Sequence, residues 1–187
     1  MRYRCSWAAS PLMIEYHDTE WGRFTLDDRA HFEHLCLEGF QAGLSWETVL
    51  RKRENLRRLF AGFDCDAVAA FNEATIAAIL EDAGGIRNRA KVRSVVNNAG
   101  RFAALHRDGA TFSALLLDLI GGKPIVHEFR DLSEIPAFTD EAAAASKTLK
   151  GLGYTFIGPT IIYAHLQATG LVNDHLMDCF VRNELGG

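Results

Sequence analysis

Helical signals fill almost the whole of this sequence, and they come in short pieces. Residues 26–39 place Phe32, Leu35, Cys36 and Leu37 in an apolar pattern behind Thr25 and two aspartates. Ser45 suits the start of a segment reaching 50. Asp64 suits the start of 67–71, and Asn72 that of 75–83, which Gly84-Gly85 stops. Residues 86–105 carry Val92, Val95, Val96, Phe102 and Leu105 on one face, and Thr111 opens 112–120 ahead of Gly121-Gly122. Asp140 precedes 141–149, which Gly151 ends. Gly158-Pro159 puts a proline near the first turn of 160–168, and Asn173 or Asp174 caps a last helix over 175–182. Only 123–126 reads as extended, and 133–138 as a loop around Pro136. Repeats, low-complexity tracts and linkers are absent. The sequence therefore predicts an all-α fold: a compact helical bundle, one domain over residues 1–187 built as two helical lobes.

With 187 residues and 48% hydrophobic content, folding can bury close to ~70% of the chain's surface without a disulfide scaffold. Of the four cysteines, Cys36 and Cys65 lie among apolar neighbours and read as small core residues. No run approaches the ~18–20 apolar residues that span a bilayer. The start, Met1-Arg2-Tyr3-Arg4-Cys5, leads into Glu15, Asp18 and Glu20 without an apolar signal core, so a cytoplasmic protein is expected. The net charge of −4 excludes a chain that is basic all over, but leaves room for a basic stripe on one face.

The other two cysteines have suggestive neighbours. His175 and Cys179 are four residues apart on the predicted last helix, one turn from each other on one face. Cys5 and His17 stand near the other end of the chain. Two thiolates and two imidazoles suit tetrahedral Zn²⁺, and four protein ligands would make the ion structural, tying the N-terminal segment to the last helix. The spacing is not that of a zinc finger. Taken alone it favours the plainer reading of a capping histidine and a buried cysteine.

All three tryptophans, Trp7, Trp21 and Trp46, fall in the first quarter, joined by Tyr16 and Phe40. Part of this set must be core. Glu38, however, interrupts the apolar run 35–40, where a carboxylate is costly unless partnered. Gln41-Ala42-Gly43-Leu44 follows as a loop with a glycine tip. Stacking aromatics around one acceptor carboxylate suit a flat, cationic, hydrogen-donating ring such as a charged nucleobase.

Between 86 and 107 stand Arg87, Arg89, Lys91, Arg93, Arg101 and Arg107 without one acid. The stretch starts at a glycine turn between two helical patterns. A helix-hairpin-helix of that kind offers backbone N–H groups and basic side chains to phosphate. A charge run is more often a solvated face. A second basic group, Arg51-Lys52-Arg53 with Arg57-Arg58, follows the Trp46 loop and makes DNA contact more credible.

Three blocks then meet a known pattern. They are Cys5-Ser6-Trp7 with Tyr16-His17-Asp18-Thr19-Glu20-Trp21-Gly22; Leu37-Glu38-Gly39-Phe40-Gln41-Ala42-Gly43-Leu44-Ser45-Trp46 with Lys52-Arg53-Glu54-Asn55; and Phe156-Ile157-Gly158-Pro159-Thr160-Ile161 with Gly170-Leu171-Val172-Asn173-Asp174-His175 and Cys179. Over essentially its whole length the chain resembles the constitutive, type I (Tag) 3-methyladenine DNA glycosylases, of the helix-hairpin-helix DNA glycosylase superfamily. The resemblance implies one structural Zn²⁺ on Cys5, His17, His175 and Cys179, which reverses the plainer reading of those residues. It implies Glu38 as the catalytic-site partner of the alkylated adenine, Tyr16 and Trp46 stacking on or lining the base, and Trp21 and Trp7 nearby. It implies an enzyme that extrudes 3-methyladenine from double-stranded DNA and hydrolyses its N-glycosidic bond, releasing the free base and leaving an abasic site. Leu44 and Gly43 would fill the vacated duplex, and Arg87, Arg89 and Lys91 would touch phosphate. No lysine is assigned as a Schiff-base nucleophile, so a monofunctional enzyme is expected, acting as a monomer. Met13 stands where the family often has Tyr, and His165 where Phe is common, a packing change. The hairpin is a loose version of its motif and lacks the aspartate used elsewhere in the superfamily, in keeping with the type I enzymes. Two other readings compete: a zinc hydrolase with an open metal site, and a module that binds methylated bases without cleaving them.

Overall fold

Side-chain caps set most of the helix starts. Ser10 opens α1 (Pro11–Thr19), Asp27 opens α2 (Asp28–Gln41) and Ser45 opens α3 (Trp46–Leu59). Asp64 opens α4 (Cys65–Ala69), Asn72 opens α5 (Glu73–Glu81) and Asn88 opens α6 (Arg89–Arg107). Thr111 opens α7 (Phe112–Leu119) and Thr139 opens α8 (Asp140–Gly151). α9 (Pro159–Ala168) begins instead with Gly158 and a proline in its first turn, and α10 (Phe180–Glu184) closes the series. This computed structural model describes residues 3–186; Met1, Arg2 and Gly187 of the expected domain lie outside them. A two-residue parallel ladder pairs β1 (Ile125–Val126) with β2 (Val172–Asn173), the only strands among the described residues. The all-α expectation holds.

Several boundaries differ from the sequence expectation. α1 was not anticipated, α3 runs on to Leu59 rather than stopping near 50, and Thr139 rather than Asp140 caps α8. The predicted helix over 175–182 forms only from Phe180 onward, as α10; turn and loop occupy 174–179. Its proposed cap has been drawn inward. Asp174 accepts hydrogen bonds from Tyr163, Gln167 and His127, and Asn173 caps only the His175 amide, at 3.2 Å. Cys36 is buried as expected. Cys65 is only half-buried, its Sγ 3.7 Å from His106 Nδ1, so it is not a core residue.

α2 runs through the middle of the molecule. Every residue from His31 to Phe40 is buried, with α3, α6, α7 and α9 packed against it. Phe32, Phe40, Phe60, Phe63, Phe102 and Phe112 form the aromatic heart of the main core. A smaller cluster gathers Cys5, Leu176, Cys179 and Val181. Residues 82–88 join α5 to α6 as a tight hairpin. Asp82 accepts from Asn55 at 3.0 Å, Gly84 N at 2.8 Å and Arg58 at 2.6 Å, and Lys52 Nζ donates to the Ala83 and Gly84 carbonyls. At Gly84 any Cβ would strike Asn55, so the close approach of α3 demands glycine there.

These contacts correct the expected second basic group. Arg51 pairs with Glu47, Arg53 with Glu20 and Glu33, Arg57 with Glu33 and Glu54, and Arg58 with Asp82. Lys52 is spent on the hairpin. Lys52, Arg53, Arg57 and Arg58 brace α3 against its neighbours, while Arg51 pairs only within α3 and stays exposed.

Candidate functional site

A helix enclosed on all sides should carry few ionisable groups, and those it carries should be paired. α2 buries four such side chains: His31, Glu33, His34 and Glu38. His31 bonds the Thr25 carbonyl and His165 Nε2, both at 3.0 Å. Glu33 accepts from Arg53 at 2.5 Å and Arg57 at 2.9 Å. His34 Nε2 meets Glu20 at 2.9 Å. Glu38 alone has no hydrogen-bond or ion-pair partner among the described residues, and burial pushes its carboxyl up to about 8. His165, expected as a packing change, is fully buried against Phe112 and also forms half of a buried imidazole pair.

Glu38 borders a cavity of about 410 Å³. Trp7, Met13, Tyr16, Trp21, Gln41 and Trp46 line it, together with Leu132, Ile135, Ala164 and Gln167. Tyr16 and Trp46 have ring centroids 5.5 Å apart, and Trp7 meets Trp21 edge-on at 5.0 Å. The Tyr16 hydroxyl and Trp46 Nε1 are buried with no hydrogen-bond partner. Burial first, then the nearby Glu38 charge, raises the Tyr16 phenol well above its ordinary range, so it stays a donor. A flat ring that both stacks and hydrogen-bonds would satisfy these three polar groups together. A second hollow shares Glu38, Gln41 and Ala164 and runs on to Gly43 and Leu44.

The metal-ligand candidates meet beside this cavity. Cys5 Sγ, His17, His175 and Cys179 Sγ are fully buried, their ligand atoms all within 4.8 Å of one another. His175 Nδ1 lies 3.8 Å from Cys5 Sγ and 3.5 Å from Cys179 Sγ, and His17 Nε2 lies 3.5 Å from Cys179 Sγ. A tetrahedral zinc shell with bonds of ~2.0–2.3 Å needs neighbouring donors roughly 3.3–3.8 Å apart. The remaining ring nitrogens are already committed: His17 Nδ1 to Asp18 at 2.7 Å, and His175 Nε2 to the Trp21 carbonyl at 3.1 Å. Those bonds leave Nε2 of His17 and Nδ1 of His175 as the metal-facing atoms. Arg4 grips Asp18 through two bonds, at 2.9 and 2.7 Å. The chemistry and spacing of this donor set fit a closed zinc site. The four residues come from loops and α1, so His175 and Cys179 meet through a loop and not, as expected, on one face of a helix. Trp7 packs edge-on against His17 at 5.2 Å and Trp21 against His175 at 4.5 Å, so the cluster buttresses the cavity wall.

Of the residues expected at DNA, Gly43 has φ +81° and open space where a Cβ would stand, while Leu44 is 40% exposed. The Leu44 amide donates to the Gln41 carbonyl at 2.6 Å, closing a turn whose third residue needs positive φ. Arg87 and Arg89 are exposed on the hairpin and the start of α6. Lys91 is a correction. It is 7% exposed, and its Nζ donates to the Phe40 carbonyl at 2.9 Å and to the Ala42 carbonyl. It caps the C-terminal end of α2 and pins the Gly43 turn to the hairpin; it is not presented to phosphate. Desolvation lowers its ammonium's proton affinity.

The sequence reading missed Leu132, Ile135, Ala164 and Gln167 as cavity walls. Ala164 and Gln167 lie three residues apart on α9, one small and one polar, both half-buried on a helix that packs on α2. That interruption of an apolar pattern was the available signal.

A model of the methyladenine glycosylase family matches residues 6–183. The DNA-3-methyladenine glycosylase of Haemophilus influenzae is 44% identical over 180 residues, covering 96% of this chain and 97% of that one. A crystal structure of 3-methyladenine DNA glycosylase I superposes with a TM-score of 0.93 at 43% identity, over 95% of this chain and 98% of the other. A variant of 3-methyladenine DNA glycosylase I in complex with 3-methyladenine superposes at 0.90, 31% identical, over 95% and 96%.

Proposed function

The chain belongs to the methyladenine glycosylase family; it is a DNA glycosylase that excises 3-methyladenine in base-excision repair, and we propose how its own residues do so. One observation carries the assignment of the pocket. Glu38 is a buried carboxyl without a partner, and it borders an aromatic cavity where Tyr16 and Trp46 also hold unpaired polar atoms.

The extruded base enters the cavity that Tyr16 and Trp46 line together, stacking on their shared wall, with Trp7 and Trp21 lining the same cavity. Methylation at N3 makes the base cationic and a good leaving group, so no strong acid is needed. The positive ring gives Glu38 the counter-charge it lacks, and the carboxylate and aromatic faces then hold the base by charge and shape. Undamaged adenine lacks that charge. Water adds to C1′ as the bond to N9 breaks. The bond's electron pair neutralises the departing ring, the water's proton goes to solvent, and an abasic site remains. Lys91 is held by two carbonyls and is no nucleophile, in line with a monofunctional enzyme that leaves the strand intact.

Leu44, raised on the Gly43 turn, fills the space the base leaves, offsetting part of the few kcal/mol that extrusion costs. Arg87 and Arg89 on the helix-hairpin-helix hold phosphate. Cys5, His17, His175 and Cys179 hold one structural Zn²⁺ that supplies folding energy and no chemistry to the reaction. Residues 1–187 act as one domain of two lobes, as a monomer in the cytoplasm.

Chromatography of products from methylated duplex DNA tests this reading. Free 3-methyladenine and an unbroken strand are expected, with the activity lost in Glu38→Gln. Strand scission by the pure enzyme would reject the monofunctional mechanism, and full activity in Glu38→Gln would reject the pocket assignment.

A further inference from the structure

Asp174 is buried at 1% exposure and gathers three donors: His127 Nδ1 at 2.6 Å, Gln167 Nε2 at 2.6 Å and the Tyr163 hydroxyl. The consequence lies at Gln167. A carboxylate with donors on both oxygens can only accept, so the Gln167 amide must present its NH₂ to Asp174. Its carbonyl Oε1 is the pole left over, and it accepts no hydrogen bond from any described residue. Gln167 lines the same cavity as Glu38, and Ala164, one turn earlier on α9, is small enough to leave room beside it.

We propose that Gln167 Oε1 is a second acceptor for the flipped base, locked in that sense by Asp174, and that it selects a purine bearing an amino group at C6 over one bearing an oxo group. This rests on the reading of the cavity as the base pocket. An exocyclic amine has two N–H donors, one for Glu38 and one for Gln167. A 6-oxo purine such as 3-methylguanine sets a carbonyl oxygen against Oε1 and leaves both unpaired. Sites built around an N–H donor reject analogues lacking it far more strongly than apolar walls can. Asp174 is the positioning residue. It touches no substrate, but it decides which end of the amide stays free.

The test compares release of 3-methyladenine and 3-methylguanine from the same methylated duplex by the full chain, alongside titration with free 3-methyladenine. Gln167→Met keeps the bulk and removes the amide. It should weaken 3-methyladenine binding about tenfold and lower the 3-methyladenine to 3-methylguanine ratio of kcat/KM by at least as much. Asp174→Asn can donate as well as accept, so the Gln167 amide is free to turn. It should lower the same ratio while the Gln167 side chain is intact. Because Asp174 is buried, a melting curve accompanies that variant, and Gln167→Met decides the matter if it does not fold. An unchanged ratio in folded Gln167→Met, or an equal loss on both bases, overturns the proposal. Glu38→Gln separates the two levels. If it too leaves 3-methyladenine affinity intact, the pocket reading has failed; if it alone abolishes affinity, only the role of Gln167 has failed.

Discussion

Glu38 shows how a single residue can trade stability for binding. In the empty pocket its carboxyl titrates at about 8, against 4.5 for an ordinary glutamate. The folded chain therefore holds this proton more tightly than the unfolded chain does. The associated stability is complete below pH 4.5 and is lost as pH rises to about 8. Glu38→Gln should melt close to the parent at pH 4.5 and be more stable at pH 9, by about 3–5 kcal/mol in denaturant titrations. A parent whose stability relative to the variant does not change with pH would contradict this. Glu38 was legible in the sequence because an acid inside an apolar run demands an explanation. Gln167 was not, because its meaning depends on Asp174 and on a cavity that only tertiary packing creates.

At the level of elements, the caps were the most legible part of the chain. A Ser, Thr, Asp or Asn acts within three residues of itself, so local sequence is enough. Capping was off by one residue at Thr139 and misled outright at Asp174, where long-range partners competed for the side chain. The basic residues were legible as charges but not as roles, since a long side chain finds its acceptor in three dimensions. Lys91 and Arg89 make this testable. Lys91→Met removes two hydrogen bonds from the end of α2 and should cost about 1–3 kcal/mol of stability, leaving the slope of DNA affinity against salt unchanged. Arg89→Ala should leave stability nearly intact, weaken binding to all sequences alike and reduce that slope by about one. The reverse pattern in fluorescence titrations at several salt concentrations would exchange the two assignments.

Across the whole molecule, net charge was a poor guide to partners. The acids are largely occupied: Glu20, Glu33, Asp28 and Asp82 each brace an internal network, while Arg87 stands exposed on the hairpin. The members of the Cys/His cluster were legible as residue types, though their convergence required the fold, because Cys5 and His17 lie far in sequence from His175 and Cys179. Metal analysis should find about one zinc per chain. A strong chelator should lower the melting temperature and, through Trp7 and Trp21, abolish 3-methyladenine binding in the same concentration range. A folded, binding-competent apo-protein would exclude the structural role. The span from Cys5 to Cys179 also fixes the order in which the enzyme is made. A ribosome delivers the pocket's tryptophans early and His175 and Cys179, in the loop before α10, after every residue that lines the cavity, so the wall they buttress is the last part to be supported.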